Sequence, residues 1–324
     1  MSVQRRNNKV GEVRFGSVPV FARENSKTPV LNLSPSGIAT FRQCKLQYKL
    51  RYVDKLGDQY GKPRPYYTMA NHVHATMHDL FSLVPVQNRT AGTTKRLLKK
   101  NWRRYRIGFR DRADEKRWAQ RALAEVTRFI AEQDVTITPM MLERQIEEEI
   151  TPGLVLRGKV DRVDKQPDGS LHVIDYKTGA VPENVDWTQL KLYALILSRS
   201  TAYIVSKLSY FYLLSGTMET RQLDRRALEE TSWELLRVAS EIRKERYYSP
   251  SPGPACAGCD FAAMCPARHE GYVQIGETEL PLWRDFGDIL VEDYPSTYIT
   301  DSNLGEVNCN PWLFTCSLDP NVEK

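Results

Sequence analysis

The stretch from Leu156 to Tyr193 constrains this chain more than any other. It begins Leu156-Arg157-Gly158-Lys159-Val160-Asp161-Arg162-Val163-Asp164, turns at Gln166-Pro167-Asp168-Gly169, and returns as His172-Val173-Ile174-Asp175-Tyr176-Lys177-Thr178-Gly179. Two β-rich runs on either side of a Pro-Asp-Gly turn predict a hairpin. In a strand, residues two apart share a face, so Asp175 and Lys177 point the same way and Tyr176 the other. The hairpin brings Asp161 within side-chain reach of Asp175. Two carboxylates can hold a divalent cation, and a lysine beside them can orient or activate a water for attack on a phosphodiester.

The wider chain predicts an α/β core, a small mixed sheet with helices around it. Ser34-Pro35-Ser36 reads as a helix start, with Ile38, Phe41, Leu46 and Leu50 following at helical spacing and Cys44 inside the helix. Further helices are expected over about 69–83, 93–106, 115–133, 187–198 and 225–246, the last stopped by the proline-rich run from Pro250 to Pro254. Strands are expected over 141–150, 155–164 and 171–176, and a strand pair or a strand with its lead-in over 202–214. Residues 1–30 read as a flexible basic arm, 31–270 as one domain, and 271–324 as an extension without assignable chemistry. Within that extension Cys309 and Cys316 read as free thiols.

Charge and composition limit the partners. The 46 basic and 40 acidic residues leave a net charge of +6, which suits a polyanion without requiring one. Nine Lys or Arg residues fall between Lys95 and Arg112, interrupted only by Asp111. Leu98, Trp102, Tyr105 and Phe109 recur among them at helical spacing, so a helix could dock on the core with its basic face outward, along a phosphate backbone or simply in solvent. No run of eighteen apolar residues and no apolar N-terminal stretch occurs, so no membrane partner or secretory route is expected. The expected setting is the cytoplasm, at the nucleoid.

Gly158 to Asp164, Val173 to Gly179 and the Gln189-x-x-x-Tyr193 spacing together resemble the RecB-type branch of the PD-(D/E)XK nuclease superfamily. The proline of that name is absent, since Val160 precedes Asp161. Upstream, Ala70-Asn71-His72-Val73-His74 is similar to the branch's helical Gly-x-x-x-His motif, with Ala70 in place of glycine. The resemblance implies a restriction-endonuclease-like core in which His74, Asp161, Asp175 and the Tyr176 carbonyl bind Mg2+ or Mn2+. His72 and His78 compete with His74 for that role. Lys177 would position the water, and Gln189 and Tyr193 would steady Lys177 or the DNA strand. The acidic position on the preceding strand falls to Glu143, among the competing Glu147, Glu148 and Glu149.

Cys256-x-x-Cys259-x5-Cys265 and the distant Cys44 make a one-plus-three pattern, which in an intracellular chain reads as metal binding. Zinc is the chemical reading of the spacing alone. The layout is similar to iron-sulfur nucleases of the RecB branch, the AddB-type helicase-nucleases and the CRISPR-associated adaptation nucleases, which implies a structural [4Fe-4S] cluster on the four thiolates. The implied activity is a metal-dependent DNA exonuclease on single-stranded DNA or duplex ends, in recombination, repair or end processing. A non-catalytic DNA-binding or complex-docking protein and a zinc-stabilised binding module are the other readings. No Gly-x-x-x-x-Gly-Lys-Ser/Thr phosphate loop occurs, so a helicase or recombination partner would be a separate protein.

Overall fold

The computed structural model describes residues 29–269 and two short strands, Asn308–Asn310 and Thr315–Ser317, paired antiparallel with Cys309 opposite Cys316. The expected basic arm and most of the C-terminal extension lie outside the described residues, as do the side chains of those two cysteines.

The chain enters through β1 (Leu31–Leu33), α1 (Pro35–Gln43), α2 (Lys45–Tyr48), a π-helical turn over Lys49–Val53, and α3 (Gly57–Tyr60). Then come α4 (Pro65–Leu83), α5 (Ala91–Trp102) and α6 (Arg112–Glu132). The sheet continues with β2 (Met141–Thr151), β3 (Leu154–Lys165) and β4 (Leu171–Lys177), followed by α7 (Thr188–Ser200), β5 (Val205–Tyr212), β6 (Thr217–Gln222), α8 (Arg225–Lys244) and α9 (Pro266–His269). The sheet is mixed: β1 pairs parallel and β2 antiparallel with β3, β4 antiparallel with β3, β5 parallel with β4, and β6 antiparallel with β5.

Helices cover both faces. On one, α1, α7 and α8 pack Ile38, Leu190, Ile196, Leu235 and Val238 against Leu156, Val173 and Leu208. On the other, α4, α5 and α6 pack Val73, Leu98, Val126 and Phe129 against Ile174, Tyr176 and Phe211. The near-continuous burial of β4 follows from this double cover.

Several local expectations need correction. Cys44 is not inside a helix: it is extended (φ −158, ψ 113) between α1 and α2, its N–H still bonded to the Thr40 carbonyl. Ser34 does cap α1, accepting from Gly37 N at 3.1 Å. The basic helix ends at Trp102, so Tyr105 and Phe109 reach the core from a loop, Phe109 stacking on Trp102 with ring centres 5.8 Å apart. The prolines do not stop α8. It ends at Lys244, where the extended Glu245 turns its carboxylate onto the N–H groups of Arg246, Tyr247 and Tyr248. Strands β1 and β6 lie outside the expected set. β1 is three residues long and finds its partner more than a hundred residues away.

One feature of the sheet prepares the site. β2 runs along one edge of β3 from Leu154 to Val163, so β1 and β4 share the other edge. β1 takes residues 154–156 and β4 takes 162–165, leaving 157–161 without a strand partner on that edge among the described residues. The face alternation of β3 also breaks here. Val160 and Val163 both join the α7 side, while Arg162 lies over the Phe81 ring on the α4 side.

Candidate active site

Asp161 stands at the end of this bare edge, and its Oδ2 accepts a hydrogen bond from the Tyr176 N–H at 2.8 Å. That bond satisfies a buried donor where the β3–β4 ladder has stopped. Its other oxygen, Oδ1, lies 3.3 Å from His74 Nδ1. His74 comes from the middle of α4, and the same nitrogen is 3.2 Å from Glu143 Oε1. Burial works against a charged imidazole here, but the Asp161 and Glu143 carboxylates outweigh it and raise the His74 pKa well above its usual value.

Glu143 lies on β2 between Leu142, opposite Arg162, and Arg144, opposite Val160, which puts it across from Asp161. Its backbone has φ +46, a left-handed conformation costing a non-glycine residue about 1–3 kcal/mol. Its second oxygen, Oε2, is 2.6 Å from Lys159 Nζ. The other glutamates of β2 are engaged elsewhere: Glu147 with Arg157, Glu148 with Arg199, and Glu149 with the Gly153 N–H. Nothing in the strand's composition separates Glu143 from them; the opposing position of Asp161 does.

On β4, Asp175 Oδ2 sits 2.7 Å from Lys177 Nζ, and Gln189 ties the pair together. The Gln189 amide donates to Asp175 Oδ1 at 2.7 Å and to the Tyr193 hydroxyl at 3.0 Å, while its carbonyl accepts from Lys177 Nζ at 2.8 Å. Gln189 and Tyr193 are one turn apart on α7 and share a face. Gly158 makes their approach possible, because a Cβ there would lie 2.2 Å from Tyr193 Cε1. Burial and the Asp161 charge push Asp175 up to about 6, against the pull of Lys177. Tyr176 turns its side chain away, its hydroxyl accepting from Arg162 at 3.3 Å, so only its backbone is on the site side.

His72 and His78 are not part of this group. His72 is buried and bonded to the Tyr105 carbonyl at 2.9 Å, with Trp102 and Tyr105 against its ring, and burial holds its pKa down at about 4. His78 lies one turn beyond His74, 3.3 Å from Asp79.

The donor set fits a divalent cation. One atom each from His74, Glu143 and Asp161 lies within 4.8 Å of the others. Asp175 Oδ2 is buried without a hydrogen bond despite its short ion-pair distance to Lys177, which leaves lone pairs for a ligand. Two buried carboxylates that repel one another are also what a cation between them would relieve.

The four cysteines form a second group. Cys44, Cys256, Cys259 and Cys265 line one cavity together with Leu46, Leu50 and Phe261. Burial, with the Cys44 and Cys256 thiols nearby, pushes the Cys259 thiol up. Asp260 clamps this segment to the N-terminal helices through Arg51 at 2.7 Å and Arg64 at 3.0 Å, and Arg64 also donates to the Gly258 carbonyl. The donors suit a thiophilic group.

A mixed sheet between helical layers, opened beside two aspartates and a lysine, defines the chain as an α/β nuclease core. It belongs to the PD-(D/E)XK nuclease superfamily, whose family model matches residues 32–266. Among curated relatives, one component of the ATP-dependent helicase/deoxyribonuclease of Streptococcus agalactiae is 26% identical over 167 residues, 51% of this chain. The match spans only 16% of that protein's length. The Gene 69 protein of Mycobacterium phage D29 is 24% identical over 266 residues, covering 72% of this chain and 96% of its own. A crystal structure of an Eubacterium rectale protein, described as a candidate exonuclease, aligns at TM-score 0.42 and 14% identity over 77% of this chain and 90% of its own. No described helix is long and apolar enough to cross a membrane.

Proposed function

We propose that the chain is a divalent-metal-dependent DNA nuclease, an exonuclease on single-stranded DNA or DNA ends that serves recombination, repair or end processing in the cytoplasm. The observation that carries this reading is the meeting of Asp161, Asp175, Lys177 and His74 where β3 has lost its ladder partner.

His74, Asp161 and Asp175, with Glu143 beside them and the Tyr176 carbonyl, would hold Mg2+ or Mn2+. Once bound, the ion would polarise the scissile phosphate and offset charge on the departing oxygen. The remaining work falls to the chain itself. The Gln189 carbonyl takes one of the three N–H donors of Lys177 and Asp175 holds the ammonium at ion-pair distance, which leaves a donor to orient the attacking water. Burial disfavours the ammonium, but the Asp175 charge outweighs it and raises the Lys177 pKa, so Lys177 serves as donor and electrostatic partner rather than as base. Gln189 holds Asp175 and Lys177 in register, and Tyr193 buttresses Gln189 over Gly158.

A [4Fe-4S] cluster on Cys44, Cys256, Cys259 and Cys265 would join the first helices to the end of the core, a structural role that zinc could fill instead. The helicase/deoxyribonuclease relative suggests a helicase or recombination partner, because these 324 residues carry no phosphate loop.

The test uses end-labelled single- and double-stranded DNA with Mg2+ or Mn2+, comparing the protein with Asp175→Ala and Lys177→Ala. Cleavage by the parent and loss in both variants is expected. Cleavage that persists in both variants would overturn the site, and DNA binding without cleavage under either metal would indicate a non-catalytic protein.

A further inference from the structure

The first turn of α4 carries two exposed tyrosines that the hydrolytic site does not use, and the loop packed against the helix carries an exposed arginine. Tyr67, Asn71 and His74 follow at i, i+4 and i+7 on one face of the helix, and His74 is the residue that meets Asp161. Tyr67 therefore stands about 10 Å along the helix axis from His74. Tyr66 lies beside it, the two ring centres 4.4 Å apart and the planes at 52°, both rings more than a third exposed.

The loop after α5 lies against the same turns of α4. Thr68 donates to the Ile107 carbonyl at 2.8 Å, the Tyr105 ring stacks on His72, and the Asn71 side chain bonds the Tyr105 hydroxyl. That loop holds Arg104 exposed, next in the chain to the Tyr105 that stacks on His72. Half-exposed Ile107 adds an apolar contact on the same side.

We propose that Tyr66 and Tyr67 form a stacking platform for the bases of single-stranded DNA, with Arg104 on its phosphates, leading the strand along α4 into the His74 end of the active site. The proposal rests on the nuclease reading and narrows it, because only an unpaired strand presents base faces to an aromatic pair at successive nucleotides. Aromatic–base stacking beside a basic track is the general chemistry of single-strand binding. The 10 Å between Tyr67 and His74 corresponds to about three stacked nucleotide steps. In a duplex every base face but the outer face of each terminal pair is already covered, so an end would have to fray before its strand could run along α4.

The experiment measures binding of fluorescein-labelled oligo-dT and of an abasic strand of equal length by anisotropy, in Ca2+, followed by cleavage of both in Mn2+. The parent should bind oligo-dT about tenfold or more tighter than the abasic strand. Tyr66→Ala/Tyr67→Ala should erase that preference with the thermal midpoint unchanged, while Tyr67→Trp keeps it. Arg104→Gln should weaken both strands alike and lower the salt slope by about one. Equal binding of the two strands by a cleaving parent would overturn the platform and leave the nuclease reading standing. Absence of both binding and cleavage would remove the nuclease reading and the platform with it.

Discussion

The Tyr176 N–H donates to Asp161 Oδ2 at 2.8 Å, taking up the place of the next rung of the β3–β4 ladder. A carboxylate that caps a strand with one oxygen is held rigidly while the other faces His74. The same residue thus ends the sheet pairing and begins the active site.

This dual role separates two variants. Asp161→Asn keeps an oxygen to accept from Tyr176 and should fold with little change in thermal midpoint, while Asp161→Ala leaves the buried N–H unpaired at about 1–3 kcal/mol. Both should lose nuclease activity and weaken Mn2+ binding by titration calorimetry. Undiminished Mn2+ affinity in Asp161→Asn would remove Asp161 from the ligand set.

Gly158→Ala tests the seat of Tyr193. The new methyl would collide with the ring, and overpacking of this kind costs about 1–3 kcal/mol. Displacing Tyr193 also loosens Gln189, so the expected result is a lower unfolding midpoint and a fall in kcat greater than the change in KM. Gln189→Ala should reproduce the fall in kcat without the loss of stability.

Glu125, buried on α6 with Arg121 at 2.8 Å, predicts a pH dependence independent of the nuclease site's own carboxylates. Burial raises its pKa from 4.5 to about 7 against the pull of Arg121. A carboxyl whose pKa is raised in the folded state contributes stability that is fully present below about pH 4.5 and is lost as the pH passes through 7. The loss amounts to roughly 3 kcal/mol at most. Denaturant unfolding from pH 4.5 to 8 should show this slope in the parent and a flatter profile in Glu125→Gln; identical profiles would assign the slope to other groups.

The cysteine group predicts a coloured protein. Anaerobic purification should yield iron and sulfide with broad visible absorption, and Cys44→Ala or Cys259→Ala should lose both and lower the thermal midpoint. Asp175→Ala should leave the colour unchanged. Zinc in a colourless preparation would replace the cluster with a single ion.

Much of the architecture is legible in the chain. Runs rich in Val, Leu and Ile marked β3 and β4, and the Pro-Asp-Gly turn joined them. Helical periods marked α4 to α8 to within a few residues. The misses arise where distant residues act. β1 is three residues long and exists through its pairing with β3. Cys44 carries a helical pattern on both sides, yet its backbone is extended where the chain turns toward the Cys256 segment. The expected end of α8 near Arg246 rests on the proline-rich run, but the helix ends at Lys244, where the Glu245 carboxylate caps the N–H groups that follow.

For the site, the sequence alone determined which residue types stand on one strand face and one helix face: Asp175 with Lys177 at a spacing of two, Gln189 with Tyr193 at a spacing of four. Those relations follow from backbone period and need nothing beyond near neighbours. The family resemblance singled out His74 over His72 and His78, and Glu143 over Glu147, Glu148 and Glu149, although their local patterns are alike. Tertiary structure supplies the physical difference between them. Trp102 and Tyr105 enclose His72, Asp79 engages His78, and only His74 meets Glu143 and Asp161. The reason is the division of one edge of β3 between β1 and β4, a pairing between segments far apart in the chain, which leaves five residues uncovered and gathers the chemistry there.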